Sequence, residues 1–366
     1  MKSKQAIQIS FNGKTQAGGV ERVVYYLDEY FRSRGIDSRV IDEEFLLHQT
    51  FFGKLLQQLF KYRHFRKRRT IYLARYTSAW LWLYKRTRYV VIVQGESTPF
   101  FPADFNFIHG SYHCMEVAYG RTDPRLSRIA ALQQKTCNRA KQVVAVSDKV
   151  KQDLITWYQL RPDKIIVQNN CVDTARFHPI RKPASGRRTL LYVGRLVKEK
   201  GLAALQQLAP VIEQSQDWQL LIACNETPAT SFFSAFTHTT VKVGLGIDNI
   251  AAEAYAAGDL LIVPSLFEGF ELVTLEAMSV GIQVIGTRVG AISDLLDRQF
   301  PGVHLLPPDI SYDDPAILAH FNKILDNAGL SVTPEALHQR VTQQFGIDAY
   351  MKKLDTILGP AFFHTT

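Results

Sequence analysis

Two acidic residues, Glu268 and Glu276, stand with seven residues between them in the stretch FEGFELVTLEAM, residues 267–278. Such a pair could be an acid and a base, two unrelated surface charges, or one ligand clamp spread over a loop and a helix. The preceding LLIVPS has the composition of a buried strand, and LVTLEAM has that of a helix. Glu268 is therefore expected in the loop after the strand, facing a ligand. Glu276 lies one turn further on, where it can accept two hydroxyls such as those of a ribose.

The backbone amides between the two acids are a second feature of this stretch. Phe270, Glu271 and Leu272 are expected at the start of the helix, where free N–H groups carry partial positive charge and can hold a phosphate. Glu268 and Glu276 then have separate tasks, unlike the paired carboxylates of a glycosidase.

Basic residues follow another strand pattern in LLYVGRLVKEKGL, residues 190–202. Arg195 and Lys200 are expected in the loop between that strand and the next helix. A guanidinium and an ammonium there suit a diphosphate, which needs charge neutralisation and no proton transfer. A solvated basic loop is the structural alternative, but basic residues are scarce in this half of the chain.

A glycine pair occurs near the N-terminus in AGGVER, residues 17–22. Gly18 and Gly19 follow the first strand pattern and open the first helix, so backbone N–H groups there can approach an anion. The pattern is not GxGxxG, which argues against a complete dinucleotide site. A purely structural turn is the alternative.

The charge of the 366-residue chain is unevenly distributed. Residues 1–183 hold 31 Lys and Arg against 15 Asp and Glu, a balance of +16, and residues 184–366 have a balance of −7. The segment 51–69, FFGKLLQQLFKYRHFRKRR, combines seven basic residues with apolar residues at helical spacing. It reads as a basic amphipathic helix for an anionic membrane surface, or as a helix whose apolar stripe packs on the core. No nucleic-acid motif accompanies it, so no nucleic-acid partner is expected.

Cysteine usage and the terminal sequence indicate a cytoplasmic protein. The four cysteines form no CxxC pair, no signal-peptide pattern opens the chain, and no apolar stretch is long enough for a membrane span. There is no DxD motif, so no metal site and no resident cofactor are expected.

Short runs rich in Val and Ile alternate with helical patterns along the whole chain. This alternation predicts an α/β protein with two Rossmann-like, doubly wound domains facing a cleft. The domains are expected at 1–180 and 181–345, with the Pro- and Arg-rich linker 178–188 between them. Residues 346–366 are expected to form a C-terminal helix that packs back on the first domain.

The motifs VGRLVKEKGL, VPSLFEGFELVTLEAMSVGIQVIGTRVGAISDLL and AGGVERVV resemble those of the retaining nucleotide-sugar glycosyltransferases of family four. The resemblance is strong over 190–296, is weaker over 6–35 and 140–177, and implies the glycosyltransferase B fold. It also implies that the domain 1–180 lies on the acceptor side and that the domain 181–345 binds the nucleotide sugar. Residue by residue it implies that Glu268 contacts sugar hydroxyls and Glu276 the ribose. The diphosphate would be held by Arg195, Lys200, Gly18, Gly19 and the amides of Phe270, Glu271 and Leu272.

The family also places an N-domain histidine near the transferred sugar, and FIHGSYHCME offers His109 and His113, of which His109 is preferred. Two positions depart from the family pattern. Glu271 replaces the second glycine of EGFG, which adds negative charge near a phosphate unless the side chain points away. Cys171 replaces the usual glycine of the NGVD turn.

The resemblance implies metal-independent transfer of a hexose-type sugar, with retention, from a nucleotide diphosphate sugar, UDP being preferred. The expected acceptor is a lipopolysaccharide core or a lipid-linked polysaccharide at the inner face of the cytoplasmic membrane, reached through the basic segment 51–69. A phosphorylated soluble acceptor would fit the charge of the first domain almost as well. The alternative functions are a UDP-sugar epimerase, and a non-catalytic nucleotide-sugar or nucleic-acid binding protein.

Overall fold

The structure, a computed structural model, describes residues 4–15, 18–84, 89–120, 122–180, 186–307 and 309–363. The chain divides into two compact units. Unit 1 comprises the described residues up to Asn169 and those from Met351 onward, and unit 2 is Asn170–Tyr350.

Unit 1 contains a six-stranded sheet in the order β2-β1-β3-β4-β5-β6, in which all neighbouring strands are parallel. Its strands are β1 (Gln5–Ile9), β2 (Ser38–Ile41), β3 (Tyr89–Gln94), β4 (Phe105–Ile108), β5 (Gln142–Ala145) and β6 (Ile165–Val167). Nearly every residue of β1, β3 and β4 is buried, as expected for parallel strands covered on both faces. The continuous Val and Ile runs of the sequence are therefore the core of this unit.

Eight helices connect these strands, together with a 3-10 helix at Pro162–Lys164. They are α1 (Gly19–Ser33), α2 (Glu43–His48), α3 (Phe51–Leu59), α4 (Arg63–Arg66), α5 (Arg69–Tyr84), α6 (Tyr112–Tyr119), α7 (Pro124–Arg139) and α8 (Asp148–Tyr158). Polar side chains cap the N-termini of several of these helices. The Ser111 hydroxyl accepts the amide of Cys114 at the start of α6, and the Ser147 hydroxyl accepts that of Val150 at the start of α8.

Unit 2 contains a second parallel sheet of six strands, in the order β12-β11-β10-β7-β8-β9. Its strands are β7 (Arg188–Val193), β8 (Trp218–Cys224), β9 (Thr239–Val243), β10 (Leu260–Val263), β11 (Gln283–Gly286) and β12 (Val303–Leu305). Its helices are α9 (Leu202–Glu213), α10 (Thr230–Phe233), α11 (Ile250–Glu253), α12 (Leu272–Val280), α13 (Gly290–Asp297), α14 (Ala316–Ser331) and α15 (Pro334–Phe345), with 3-10 helices at Lys198–Lys200 and Tyr255–Ala257. The two parallel sheets agree with the predicted fold class.

The first unit boundary lies at Asn169 rather than at the expected residue 180. Residues after Asn170 belong with unit 2 because Val172 pairs with Gly346 and its amide donates to the Phe345 carbonyl. The linker proposed at 178–188 lies partly outside the described residues, since 181–185 are not described.

The C-terminal helix, α16 (Ile347–Phe363), carries the chain into unit 1 from Met351 onward. Within unit 1, Asp355 forms an ion pair with Arg34 at 2.6 Å, and the Phe362 ring lies 5.3 Å from that of Phe31. The last residues of α16 therefore belong to the core of the first unit.

The segment 51–69 is not one amphipathic helix, because α3 ends at Leu59 and the chain turns before α4. Phe60 is buried in a cluster with Leu47 and Leu73, and this contact draws the end of the apolar stripe inward. The beginning of the stripe remains outside: Phe51 is 83% exposed and Phe52 is 59% exposed. No helix in the described ranges combines the length and the apolar composition that crossing a bilayer requires.

Candidate functional site

The Lys200 ammonium and the Glu268 carboxylate form the centre of the candidate site in unit 2. Lys200 Nζ lies 2.6 Å from Glu268 Oε1 and 2.7 Å from Oε2, so the contact is bidentate. The Ser265 hydroxyl donates to Glu268 Oε1 over 2.8 Å. The Glu268 side chain is only 9% exposed, and the positive charge of Lys200 compensates for its loss of hydration.

Two loops at the carboxyl edge of the sheet bring this pair together. Lys200 ends the 3-10 helix that follows β7, and Glu268 lies in the loop that follows β10, the strand next to β7. Gly201 lets the two loops meet: it has a φ of +81°, and a Cβ atom there would lie 2.2 Å from the Pro264 carbonyl oxygen. A larger residue at this position would strain the backbone and push the loops apart.

Arg195 lies on the same loop as Lys200 but is far more open. Its side chain is 61% exposed, and its guanidinium lies 3.4 Å from Glu199 Oε1. The backbone beneath it is fixed, because the Tyr192 hydroxyl donates to the Arg195 carbonyl over 2.7 Å. An exposed guanidinium on a fixed backbone can turn toward an anion at little cost.

Glu271 has its side chain turned away from the start of its own helix, α12. Its Oε2 accepts the amide of Ala291 and its Oε1 that of Ile292, both at 3.0 Å, so the carboxylate caps α13. The Thr274 hydroxyl also donates to Oε1, over 3.1 Å. The Glu271 side chain, which departs from the EGFG pattern, therefore has a structural role at the start of another helix.

Burial and the nearby Glu268 carboxylate raise the pKa of Glu271 to about 8, although the two amide hydrogen bonds oppose this shift. Gly290 provides the space for the contact, since a Cβ atom at that position would lie 2.0 Å from Glu271 Oε2 and 2.6 Å from Glu268 Cβ. The side chains of Glu268 and Glu271 thus both pack against Gly290.

Glu276 is 4% exposed and lies inside α12. Its Oε2 accepts the Tyr255 hydroxyl over 2.7 Å. The predicted contact of Glu276 with ribose hydroxyls stays a prediction.

The amides proposed for phosphate contacts lie at the start of α12. Leu272 is the first residue of that helix, Glu271 is its N-cap, and Phe270 is a buried residue in front of it. Their positions at a helix N-terminus agree with the expected local structure, and their role toward a phosphate stays a prediction.

The glycine pair of unit 1 lies at the start of α1, where Gly18 is the N-cap and Gly19 the first helical residue. A Cβ atom on Gly18 would lie 2.1 Å from Glu21 Oε2, so the carboxylate of the first turn folds back over this end of the helix. An anion bound here has to displace Glu21.

His109 follows β4 and is half-buried at the carboxyl edge of the unit 1 sheet. Its Nε2 lies 2.7 Å from Gln94 Oε1, and burial lowers its pKa to about 4. With Gln94 accepting, Nε2 carries the proton and Nδ1 is an acceptor. His113 lies on α6 instead, with its ring 4.3 Å from that of Trp157.

Two residues of these loops escaped the sequence analysis. Ser265 hydrogen-bonds Glu268, and its place directly after the strand LLIVP was the available signal. Gln94 orients His109 from the end of a neighbouring strand, a relation that no local spacing indicates.

We predict that the imidazole of His109 remains neutral down to about pH 4. Because its pKa in the folded protein lies below the unfolded value near 6.5, its contribution to stability is present above pH 6.5 and is lost as the pH falls toward 4. An NMR titration of protein with ¹³C-labelled histidine measures this directly, with His109→Gln assigning the signal. A midpoint near 6.5 contradicts the prediction.

The amino-acid sequence matches two glycosyltransferase family models. The model described as Glycosyltransferase Family 4 matches residues 17–176, and the one described as Glycosyl transferases group 1 matches residues 187–327. Each match falls largely within one of the two units, and together they cover most of the chain.

Curated relatives carry the same designation. The uncharacterized glycosyltransferase MJ1607 of Methanocaldococcus jannaschii is 24% identical over 196 residues, which are 49% of this chain and 50% of that protein. The putative teichuronic acid biosynthesis glycosyltransferase TuaC of Bacillus subtilis is 33% identical over 112 residues, which are 31% of this chain and 28% of that protein. The aligned stretches therefore span half or less of these relatives.

Among solved structures, that of WaaG, a glycosyltransferase involved in lipopolysaccharide biosynthesis, aligns with a TM-score of 0.69 at 16% identity. The alignment covers 97% of this chain and 100% of that one, and at this identity it concerns the fold. The two six-stranded parallel sheets are those of the glycosyltransferase B fold, and the chain is a glycosyltransferase with a family 4 domain at 17–176 and a group 1 domain at 187–327.

Proposed function

We propose that the protein transfers a hexose-type sugar, with retention, from a nucleotide diphosphate sugar to a glycan acceptor. The observation that carries the proposal is the pairing of Lys200 with Glu268, together with the exposed guanidinium of Arg195 on the same loop as Lys200. These three side chains provide two cations for a diphosphate and one carboxylate for sugar hydroxyls. We infer UDP as the preferred nucleotide.

The Lys200–Glu268 ion pair brings the proposed ligand of the diphosphate and the proposed ligand of the sugar close together. When a donor binds, the diphosphate competes for the Lys200 ammonium, and Glu268 becomes free to accept hydrogen bonds from the sugar. Ser265 keeps the carboxylate in place during this exchange, because its hydroxyl contacts Oε1 independently of Lys200. Arg195 and Lys200 then stabilise the negative charge that develops on the departing diphosphate, so the proposed reaction needs no metal ion.

The proposed transfer takes place on one face of the sugar. The bond from the anomeric carbon to the phosphate oxygen breaks with its electron pair going to the phosphate, and the acceptor oxygen forms its bond from the same side. The departing phosphate takes the proton of the acceptor hydroxyl. A glycosylated side chain, detected by mass spectrometry after quenching with donor, contradicts this step.

We predict that one nucleoside diphosphate among UDP, GDP and ADP, and its sugar conjugates, raises the melting temperature of the protein. Binding to the folded state alone stabilises it by mass action. Arg195→Ala and Lys200→Ala should each weaken binding about 10- to 100-fold, since hydrogen bonds to charged groups contribute about 1.5–3 kcal/mol. A thermal-shift titration measures both effects.

The matched control is Arg187→Ala, which removes a guanidinium of the same unit. Arg187 directly precedes β7, at the amino end of the strand, whereas the loops of the site follow the carboxyl ends of β7 and β10. This variant should keep the full shift. An equal loss in the control, or no shift of the wild type with any of the three nucleotides and their conjugates, contradicts the proposed donor site. Conversion of the bound sugar nucleotide into its epimer without an acceptor would identify an epimerase instead.

We further propose that the acceptor is a lipopolysaccharide core or a lipid-linked polysaccharide. The acceptor would be presented at the anionic inner face of the cytoplasmic membrane. Phe51, Phe52 and Leu55 project from α3 with exposures of 83%, 59% and 58%. The basic side chains after them are exposed as well: Lys54, Lys61, Arg63, Arg66, Lys67, Arg68 and Arg69. Apolar side chains that insert and basic ones that meet lipid phosphates are the features of an interfacial element. TuaC is a putative teichuronic acid biosynthesis glycosyltransferase and WaaG is involved in lipopolysaccharide biosynthesis, which supports the proposal of such an acceptor.

We predict that the protein sediments with vesicles of 30% phosphatidylglycerol in phosphatidylcholine at 50 mM NaCl and is released at 500 mM, since salt screens the basic residues. The double variant Phe51→Ser, Phe52→Ser should lower the bound fraction about tenfold or more, because two rings no longer leave water. Val243→Ser, at a half-exposed apolar residue of unit 2, serves as the control and should bind like the wild type. Failure of the wild type to sediment at low salt contradicts the membrane proposal.

A further inference from the structure

A second group of polar side chains lies where β3 and β4 end beside each other in unit 1. Gln94 is the last residue of β3, Glu96 follows two positions later, and His109 follows β4. The Tyr112 hydroxyl, at the start of α6, donates to Glu96 Oε1 over 3.3 Å. These residues come from two adjacent strands and the helix that follows, and the donor site of unit 2 uses none of them.

Two buried polar atoms in this group lack a hydrogen-bond partner within the described part of the chain. They are Gln94 Nε2 and Thr98 Oγ1, on residues that are 5% and 0% exposed. The Gln94 amide is oriented by its contact with His109 through Oε1, which leaves the Nε2 donors unused. Buried donors of this kind are rare in folded proteins because they lose water without compensation. Their presence beside a titratable group indicates a polar ligand.

The group is suited to hydroxyls and poorly suited to phosphate. It offers one carboxyl at Glu96, amide donors at Gln94, and an imidazole that stays uncharged because burial lowers the pKa of His109. Burial also raises the pKa of Glu96 to about 7. The positive charge of Arg125, on α7, acts on the Tyr112 hydroxyl, and it is this hydroxyl that donates to the Glu96 carboxyl.

We propose that Glu96, together with Gln94 and His109, binds an unphosphorylated sugar of the acceptor through its hydroxyl groups. The inference rests on the proposed function, in which unit 1 takes the acceptor. A hydroxyl donates to the Glu96 carboxylate and accepts from Gln94 Nε2, which satisfies the unpaired amide. A phosphate on the same sugar meets the Glu96 carboxylate without a compensating cation. The anionic part of the acceptor is left to the basic residues of α3 and α4.

The test measures binding of methyl α-D-glucopyranoside, methyl α-D-galactopyranoside, methyl α-D-mannopyranoside and glucose 6-phosphate by saturation-transfer difference NMR. At least one methyl hexoside should bind the wild type, and Glu96→Gln should weaken that binding about fivefold or more. Glucose 6-phosphate should bind the wild type more weakly than the methyl hexoside, and Glu96→Gln should reduce this difference because the repulsion is removed. A merely structural role of Glu96 does not predict that change in preference.

Glu116→Gln is the matched control, since Glu116 is a buried carboxylate of α6 that already accepts the Asp123 amide and the Ser127 hydroxyl. It should bind the methyl hexoside like the wild type. Equal binding by wild type and Glu96→Gln, no binding of any methyl hexoside, or stronger binding of glucose 6-phosphate to the wild type overturns the inference.

A nucleotide thermal shift separates this inference from the proposed function. Glu96→Gln should keep the wild-type shift with the nucleoside diphosphate that binds. If that shift is present and the hexoside results are negative, only the acceptor inference fails. If no nucleotide shifts the wild type, the proposed function fails, whatever the sugars do.

Discussion

The contact between Lys200 and Glu268 is the interaction on which the candidate donor site depends. A carboxylate that is 9% exposed is unfavourable without a partner, and the ammonium supplies one at hydrogen-bonding distance from both oxygens. The contact requires the loops after β7 and β10 to meet, and they meet because Gly201 has no side chain to hold them apart. A site organised in this way has its cation and its carboxylate positioned before a ligand arrives, which reduces the cost of ordering them on binding.

Glu271 stabilises the loop that carries Glu268 through hydrogen bonds to α13. By accepting the Ala291 and Ile292 amides, it joins the loop that carries Glu268 to the start of α13. The departure from the EGFG pattern thus adds a fixed connection between two elements and leaves the start of α12 clear of its side chain. This connection places a second, buried carboxyl close to Glu268, and burial together with the Glu268 charge raises the pKa of Glu271.

Local patterns in the sequence were enough to predict the alternating strands and helices, and the loops that carry Arg195, Lys200 and Glu268. Contacts between distant positions were not predictable. Lys200 and Glu268 are 68 positions apart, and each had been assigned a separate ligand contact rather than a contact with the other. The helical pattern of 51–69 failed for a similar reason, because α3 ends at Leu59 and Phe60 packs with Leu47 and Leu73, a contact that the local spacing does not indicate. Gln94 and Glu96 gave no local signal, since their meaning depends on which strands are neighbours.

The central claim is that Lys200 serves the diphosphate and Glu268 serves the sugar, although the two are paired with each other before a ligand binds. Isothermal titration calorimetry of Glu268→Gln tests it, using the nucleoside diphosphate that binds and its hexose conjugate. The account predicts that the variant binds the diphosphate at least as tightly as the wild type, because Lys200 is released, and loses the additional affinity for the conjugate. An equal loss of affinity for both ligands, or an unchanged preference for the conjugate, would contradict it.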